Sequence, residues 1–286
     1  MQIKMIRSLS QPHKRNGKGI LLATLSIISV FIWILPYIYL ITSAFRPSAD
    51  VISTSPTFFP NTISLENFTG LFSRMNVLGL LSNSLIPAVS STVIAVVLGA
   101  LFAYGIDRTG GGVSIFLTVL ILCLKMIPTV CIVVPIFQLI CDIGFYDTKM
   151  ALITTYSALN MPFVIWTMLG FYQGLPRALD EAAHIDGASS VQAFFKVVFP
   201  LSKPALATSF IFTLFLAWND FLIALLLTSS KTQTFTVGLA NFLSAYSLDL
   251  GPMCAGAFLF SFPVMILCMF AQKYILAGMT SGAIKG

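Results

Sequence analysis

Apolar residues gather along this chain in six long runs. They fall at about Ile20–Ala44, Val77–Tyr104, Ser114–Ile140, Met150–Tyr172, Ala205–Leu227 and Met253–Leu276, each parted from the next by a polar stretch. Every run exceeds the ~20 residues that an α-helix needs to cross the hydrocarbon layer of a bilayer. Inside lipid each backbone polar group must bond within its own segment, so runs of this length predict helices and not strands. The pattern predicts an all-α membrane protein of six transmembrane helices over 20–276, with a segment at 1–19 before them and a tail at 277–286.

Composition supports this class. Of 286 residues 57% are hydrophobic and 9% charged, against roughly 25% charged in soluble domains. Mean hydropathy is +0.92. A chain so poor in charge cannot solvate its own exterior, so lipid covers much of it.

The net charge of +6 is not a nucleic-acid footprint. Lys4, Arg7, Lys14, Arg15 and Lys18 precede the first run, where they act as topology determinants. Placing the N-terminus in the cytoplasm also puts Arg108, Arg177, Lys196, Lys203, Lys273 and Lys285 inside. Only Arg46, Arg74, Lys149 and Lys231 then lie outside, with Lys125 within a span. This bias predicts both termini in the cytoplasm. The first run is about twice a signal-peptide core and no A-x-A site follows it, so it reads as a signal anchor.

Chemistry-bearing residues are sparse. The five cysteines have no CxxC or metal-ligand spacing, and Cys123, Cys131, Cys254 and Cys268 lie inside apolar runs as small hydrophobes. The histidines, His13 and His184, lie outside the runs, so a membrane-embedded enzyme would lack a nucleophile–base or metal cluster. No catalytic residue, metal site or disulfide is expected. Prolines at 36, 87, 128, 135, 162 and 263 can kink the spans.

Two connections stand out. The external loop 46–76 contains PTFFPNTISLENF, in which Ser64 is placed to cap a short helix with Glu66 in its first turn. It reads as a lid or spacer on the membrane surface. The cytoplasmic loop 173–203, between spans 4 and 5, is richer. Pro176 suits a helix N1 position, with Asp180 and Glu181 in the turn that follows, so a helix to about Ile185 is predicted. Gly187 supplies the left-handed position that ends it, and Ser189 with Gln192 forms a capping box for a second helix. That helix should stop near Pro200, because the residue before a proline is pushed out of the α region. A helix–turn–helix anchored at both ends by spans suits a lever pressed upon by a soluble partner.

The stretch EAAHIDGASS followed by FPLSKPALAT resembles the EAA loop of permease subunits in binding-protein-dependent ABC importers. The NS at Asn83–Ser84, the MIP at Met126–Pro128, the WNDF at Trp218–Phe221 and QKYILAGMTSGAIKG at the C-terminus extend the resemblance, to the smaller permease subunit of maltose-type carbohydrate importers. It covers about Pro36 to Gly286. It implies a subunit of the bacterial or archaeal cell membrane that pairs with a second related permease. It further implies two copies of an ABC ATPase that bind ATP and Mg, an extracellular solute-binding protein, and a carbohydrate substrate; no nucleic acid is involved. The EAA loop would be the coupling helix, with Glu181, Ala182, Ala183, Asp186 and Gly187 docking on the ATPase. The tail residues Gly282, Ala283, Ile284, Lys285 and Gly286 would reach between the ATPases.

The residues agree with a transport component that draws energy from elsewhere, since no GxxxxGK[ST] phosphate loop occurs. Lys125, Asn219 and Asp220 lie within predicted spans, where ionisable groups are costly and face a cavity or partner. They are candidates for the path, or for helix packing. Lys125 and Asp220 could pair, or Lys125 could meet a partner's acid or an anionic sugar. An ion-gradient-driven secondary transporter would use such midplane groups, but gives no reason for the EAA loop.

Overall fold

The computed structural model describes residues 17–51, 58–244 and 247–283. Those residues form helices α1 (Gly17–Ala44), α2 (Ser48–Val51), α3 (Glu66–Arg74), α4 (Val77–Thr109), α5 (Gly111–Met126), α6 (Thr129–Asp142) and α7 (Lys149–Tyr172). They continue with α8 (Ala178–Ile185), α9 (Ser190–Leu201), α10 (Lys203–Trp218), α11 (Leu222–Leu227), α12 (Phe235–Ala240) and α13 (Leu250–Ala283). A two-residue hairpin pairs Leu243–Ser244 with Ser247–Leu248 ahead of α13.

Among the described residues four helices are long and apolar enough to cross a membrane alone, and two bent pairs raise the number to as many as six. Predicted spans 1, 2 and 4 correspond to α1, α4 and α7. Local signals start two of them: Asn76 accepts from the Gly79 N–H at 3.0 Å, and the Thr148 hydroxyl accepts from Ala151 at 3.3 Å. The third span is not continuous. It turns by 92° between α5 and α6. Ile127 and Pro128 are both extended there (ψ 121° and 129°), as the clash of a proline ring with its predecessor favours. The second bent pair is α9 with α10, which meet at 81° across Ser202, and the fifth span is itself interrupted at Asn219–Phe221, between α10 and α11. At the other end, α13 runs past Leu276 to Ala283, so the tail that composition begins at 277 is helical as far as it is described.

Helices α4 and α7 form the central pairing of the bundle. They approach closely at Gly99, where an added Cβ would stand 2.8 Å from a Val164 methyl carbon. Only glycine leaves room for this contact. Helix α10 packs across both, and α13 lies against α10, α1 and α3. A stack of Trp218, Phe260 and Phe235, with ring centroids 4.7 and 5.3 Å apart, ties α10, α13 and α12 together.

Helix α3 fastens the end of α1. Buried Asn67 donates to the carbonyls of Ser43, Ala44 and Arg46 at 3.2, 3.2 and 2.7 Å, satisfying groups that the helix end leaves unpaired. Glu66 opens α3 as expected, but Leu65 and not Ser64 takes the N-cap position, without a side-chain cap bond, and the Ser64 hydroxyl instead accepts from the Glu66 N–H at 3.2 Å. The Glu66 carboxylate turns to the Ser48 N–H at 2.7 Å, and Ser48's bonds hold its pKa below the usual range.

A candidate coupling loop and two polar cavities

Helix α8 begins at Ala178, two residues after Pro176, because the first turn is closed by Leu179 N–H to Pro176 (3.2 Å) and Asp180 N–H to Arg177 (2.9 Å). Its end is built as the sequence predicts. Gly187 has φ +82°, its N–H donates to the His184 carbonyl at 3.0 Å, and the Ala188 N–H reaches back to Ala183 at 2.9 Å. These are the two bonds of a Schellman closure. The Ser189–Gln192 capping box then starts α9. Helix α9 ends at Leu201, near the predicted stop, although Phe199 before Pro200 remains helical. A π-turn at Phe194–Val198, in which the Phe199 N–H bonds Phe194, widens the helix just before the proline ring.

The five predicted docking residues divide by face. Glu181, Ala182, Asp186 and Gly187 are exposed, whereas Ala183 is buried. The inward turn of Ala183 follows from helix geometry, since it stands three residues after buried Asp180 on the same face. Ile185 is 86% exposed and joins the outward face. His184 is exposed, with Nδ1 2.8 Å from the Ala188 carbonyl. Of the tail, Gly282 and Ala283 end α13, and Ile284, Lys285 and Gly286 lie outside the described residues.

Beneath the loop lies a buried polar cluster. Tyr104 and Arg108, one turn apart on α4, both reach Asp180 of α8. The Tyr104 hydroxyl donates to Oδ1 at 2.7 Å, and Arg108 forms an ion pair with Oδ2. Arg108 also pairs with Asp107, and its guanidinium carbon stands 5.3 Å from the centroid of the Tyr104 ring. Arg177 donates to the Asp107 carbonyl at 3.4 Å. Phe194 of α9 packs on Tyr104 with centroids 5.2 Å apart.

Deeper in the bundle, Lys125 and Asp220 line one cavity of about 170 Å³ with Thr129, Tyr156 and Asn160. Among the described residues no ion pair joins them. Asp220 instead accepts from the Tyr156 hydroxyl and the Ala224 N–H, each at 3.0 Å, while the Lys125 ammonium sits 6.0 Å from the Phe163 ring centroid. Asn219 is exposed and turns back to the Phe215 carbonyl at 2.9 Å, so it does not join them. At the opposite end of α4 from the loop, a wider cavity of about 560 Å³ is lined by Arg74, Asn83, Lys231, Gln233 and Asp249 among others. Beside it, Asp147 accepts from Ser229, Thr232 and the Thr232 hydroxyl at 2.9, 3.1 and 2.7 Å. Burial pushes its pKa up, but these bonds prevail and leave it lowered.

Residues 95–281 match the family described as binding-protein-dependent transport system inner membrane component. The chain belongs to that family. It is 35% identical to the trehalose transport system permease protein SugB of Mycobacterium tuberculosis, over 92% of this chain and 97% of that one. It is 32% identical to the trehalose/maltose transport system permease protein MalG of Thermococcus litoralis, over 94% and 98%. Its fold is that of a chain in the structure of a bacterial ABC transporter involved in the import of the acidic polysaccharide alginate. There the TM-score is 0.76 at 21% identity, covering 92% of this chain and 98% of that one.

This inner membrane component is thus a multi-pass protein of the cell membrane and a transport subunit, as the resemblance implies. Sequence reasoning missed the grip of Tyr104 and Arg108 on Asp180, although Asp180 was visible as a first-turn acid. The signal lay in charges at the last turn of α4, which charge counting assigned to topology alone. The Asp147 clamp and the wider cavity gave no comparable signal, being built from residues that are ordinary in loops.

Proposed function

We propose that this chain is one permease subunit of an ATP-driven carbohydrate importer, forming half of the sugar path with a second related permease. Two ABC ATPases dock on the loop face, which is cytoplasmic, and a solute-binding protein delivers the sugar to the opposite face. The observation that carries this reading is the outward face of α8. Glu181, Ala182, Ile185, Asp186 and Gly187 are presented on a helix closed by a glycine with φ +82° and seated on a buried cluster. The relatives named for trehalose and maltose support a sugar as cargo. Lys125 and Asp220, facing one polar cavity among apolar helices, supply a place for hydroxyl groups to pass.

The test replaces Gly187 with aspartate in the assembled importer. An L-residue at φ +82° costs about 1–2 kcal/mol, and the added charge lies on the docking face. Uptake should fall at least about tenfold, and the ATPases should be lost on purification. Normal uptake with the ATPases retained overturns the docking assignment. Removing Gly282–Gly286 should lower the sugar transported per ATP while leaving the amount of complex unchanged. Unaltered transport removes the tail from the proposal.

A further inference from the structure

We infer that Asp180, gripped by Tyr104 and Arg108, is the positioning link through which displacement of the coupling helix moves α4. The inference rests on the reading that α8 docks on the ATPase, and it adds which residues carry the motion onward.

Helix α8 has eight residues, too few to hold its own conformation in water, so its position is set by what it is fastened to. Its two faces differ in kind. The outward face is free for a partner, while the inward face presents only Asp180 and Ala183 as buried groups. Apolar contacts such as that of Ala183 resist separation but allow sliding, because they have no preferred direction. A phenol that donates to one carboxylate oxygen at 2.7 Å fixes a direction, and the guanidinium paired with the other oxygen adds attraction without a hydrogen bond, so the carboxylate is held in direction by Tyr104 and in place by Arg108. It therefore resists shear as well as separation.

Both polar partners of Asp180 come from α4, one turn apart, while α9, which follows α8 in the chain, packs against it without bonding that carboxylate. Arg177, just before α8, adds a bond to the last turn of the same helix. The loop is thus tied sideways onto α4. That helix runs 33 residues, about 50 Å at 1.5 Å per residue, and its N-cap Asn76 and early residues Gly79 and Asn83 line the wider cavity. Helix α4 is continuous through Pro87 and packed along α7, so a displacement at Arg108 is passed along it toward the far end. Buried ion pairs add little net stability over well-packed apolar residues, which leaves directional attachment as the function of these charges.

The test uses the complete importer in proteoliposomes with its binding protein and ATP, reading assembled complex, stimulated ATP hydrolysis and sugar uptake. Asp180→Asn keeps the shape of the side chain and removes the charge. It should assemble with its ATPases and hydrolyse ATP, but sugar transported per ATP should fall by about tenfold, within the range of a typical coupling energy. Arg108→Asp should fall similarly, and the exchanged pair Arg108→Asp/Asp180→Arg should recover part of the lost transport per ATP at equal complex and equal ATP hydrolysis, a readout that a merely structural role would not move. If Asp180→Asn fails to assemble, Tyr104→Phe decides. It deletes one hydroxyl, keeps the ion pair, and should lower transport per ATP by about three- to tenfold. An assembled Asp180→Asn complex with wild-type transport per ATP overturns the inference, as does an assembled Tyr104→Phe complex with unchanged coupling, or an exchanged pair no better than its single variants. Each leaves the docking assignment standing, because that assignment fails only if Gly187→Asp keeps its ATPases and its uptake.

Discussion

Two groups of ionisable residues lie within this bundle, and they are organised in opposite ways. At the loop end, Arg108 is locked between Asp107 and Asp180, with Tyr104 closing the set. In the deeper cavity, Lys125 and Asp220 share walls without meeting, and Asp220 draws its bonds from Tyr156 and Ala224. The first arrangement sets opposite charges against each other across two elements. The second leaves a cation and an acid turned toward open space. Charge that is closed on itself holds structure together, whereas charge left facing a cavity is available to something that passes.

The largest expected contrast is in stability. Arg108→Met strands Asp180 and Asp107 in a buried setting, and should cost about 3–5 kcal/mol in unfolding of the solubilised protein. Lys125→Met removes a charge from among apolar helices and should cost nothing measurable. Equal losses would erase the distinction. A smaller contrast lies in paired substitutions. A cycle of Arg108→Met and Asp180→Leu should show coupling of about 1–3 kcal/mol, and one of Lys125→Met and Asp220→Asn should show less. Strong coupling in the second cycle would mean the cavity pair closes in another state of the transport cycle.

The two tyrosines sharpen the comparison further. Tyr104→Phe and Tyr156→Phe each delete one hydroxyl–carboxylate bond, about 1–3 kcal/mol at most. Tyr156→Phe is expected to change the apparent KM for sugar at the membrane, and Tyr104→Phe to leave it unchanged. The smallest effect concerns Asp147, an acid held by neutral donors alone. Its folded pKa is lowered, so its contribution is complete above the unfolded carboxylate value of about 4 and is lost as pH falls through the folded one. Asp147→Asn should flatten the acid limb of the unfolding midpoint against pH. An unchanged limb would show that the clamp does not respond to protonation.

What could be read from the sequence was local. Gly187, Ser189 and Gln192 define a helix end and a helix start through bonds spanning at most five residues, and they appear where they were placed. The apolar runs likewise fix where helices lie, because lipid leaves the backbone no alternative. Contacts between distant segments were not legible. Asp180 stands 76 residues from Tyr104, and no periodicity links them. Proline was an ambiguous signal, since Pro36, Pro87, Pro135, Pro162 and Pro263 sit inside continuous helices while Pro128 marks a 92° turn. A missing N–H permits a break without requiring one. Asn219 and Asp220 are adjacent in sequence, yet the gap between α10 and α11 sends their side chains to different surroundings.

Helix α1 is fastened at one end. Its last turns are held by Asn67 and by the Tyr37–Ser261 hydroxyl pair at 2.7 Å, while residues 19–36 are exposed throughout. Eighteen residues extend about 27 Å, close to the thickness of the hydrocarbon layer. A span attached at one edge and exposed along the rest offers a full membrane-crossing length to its surroundings, whether lipid or the second permease proposed above. Tyr37 and Ser261 are thereby the junction at which α13 meets whatever surrounds the exposed length of α1.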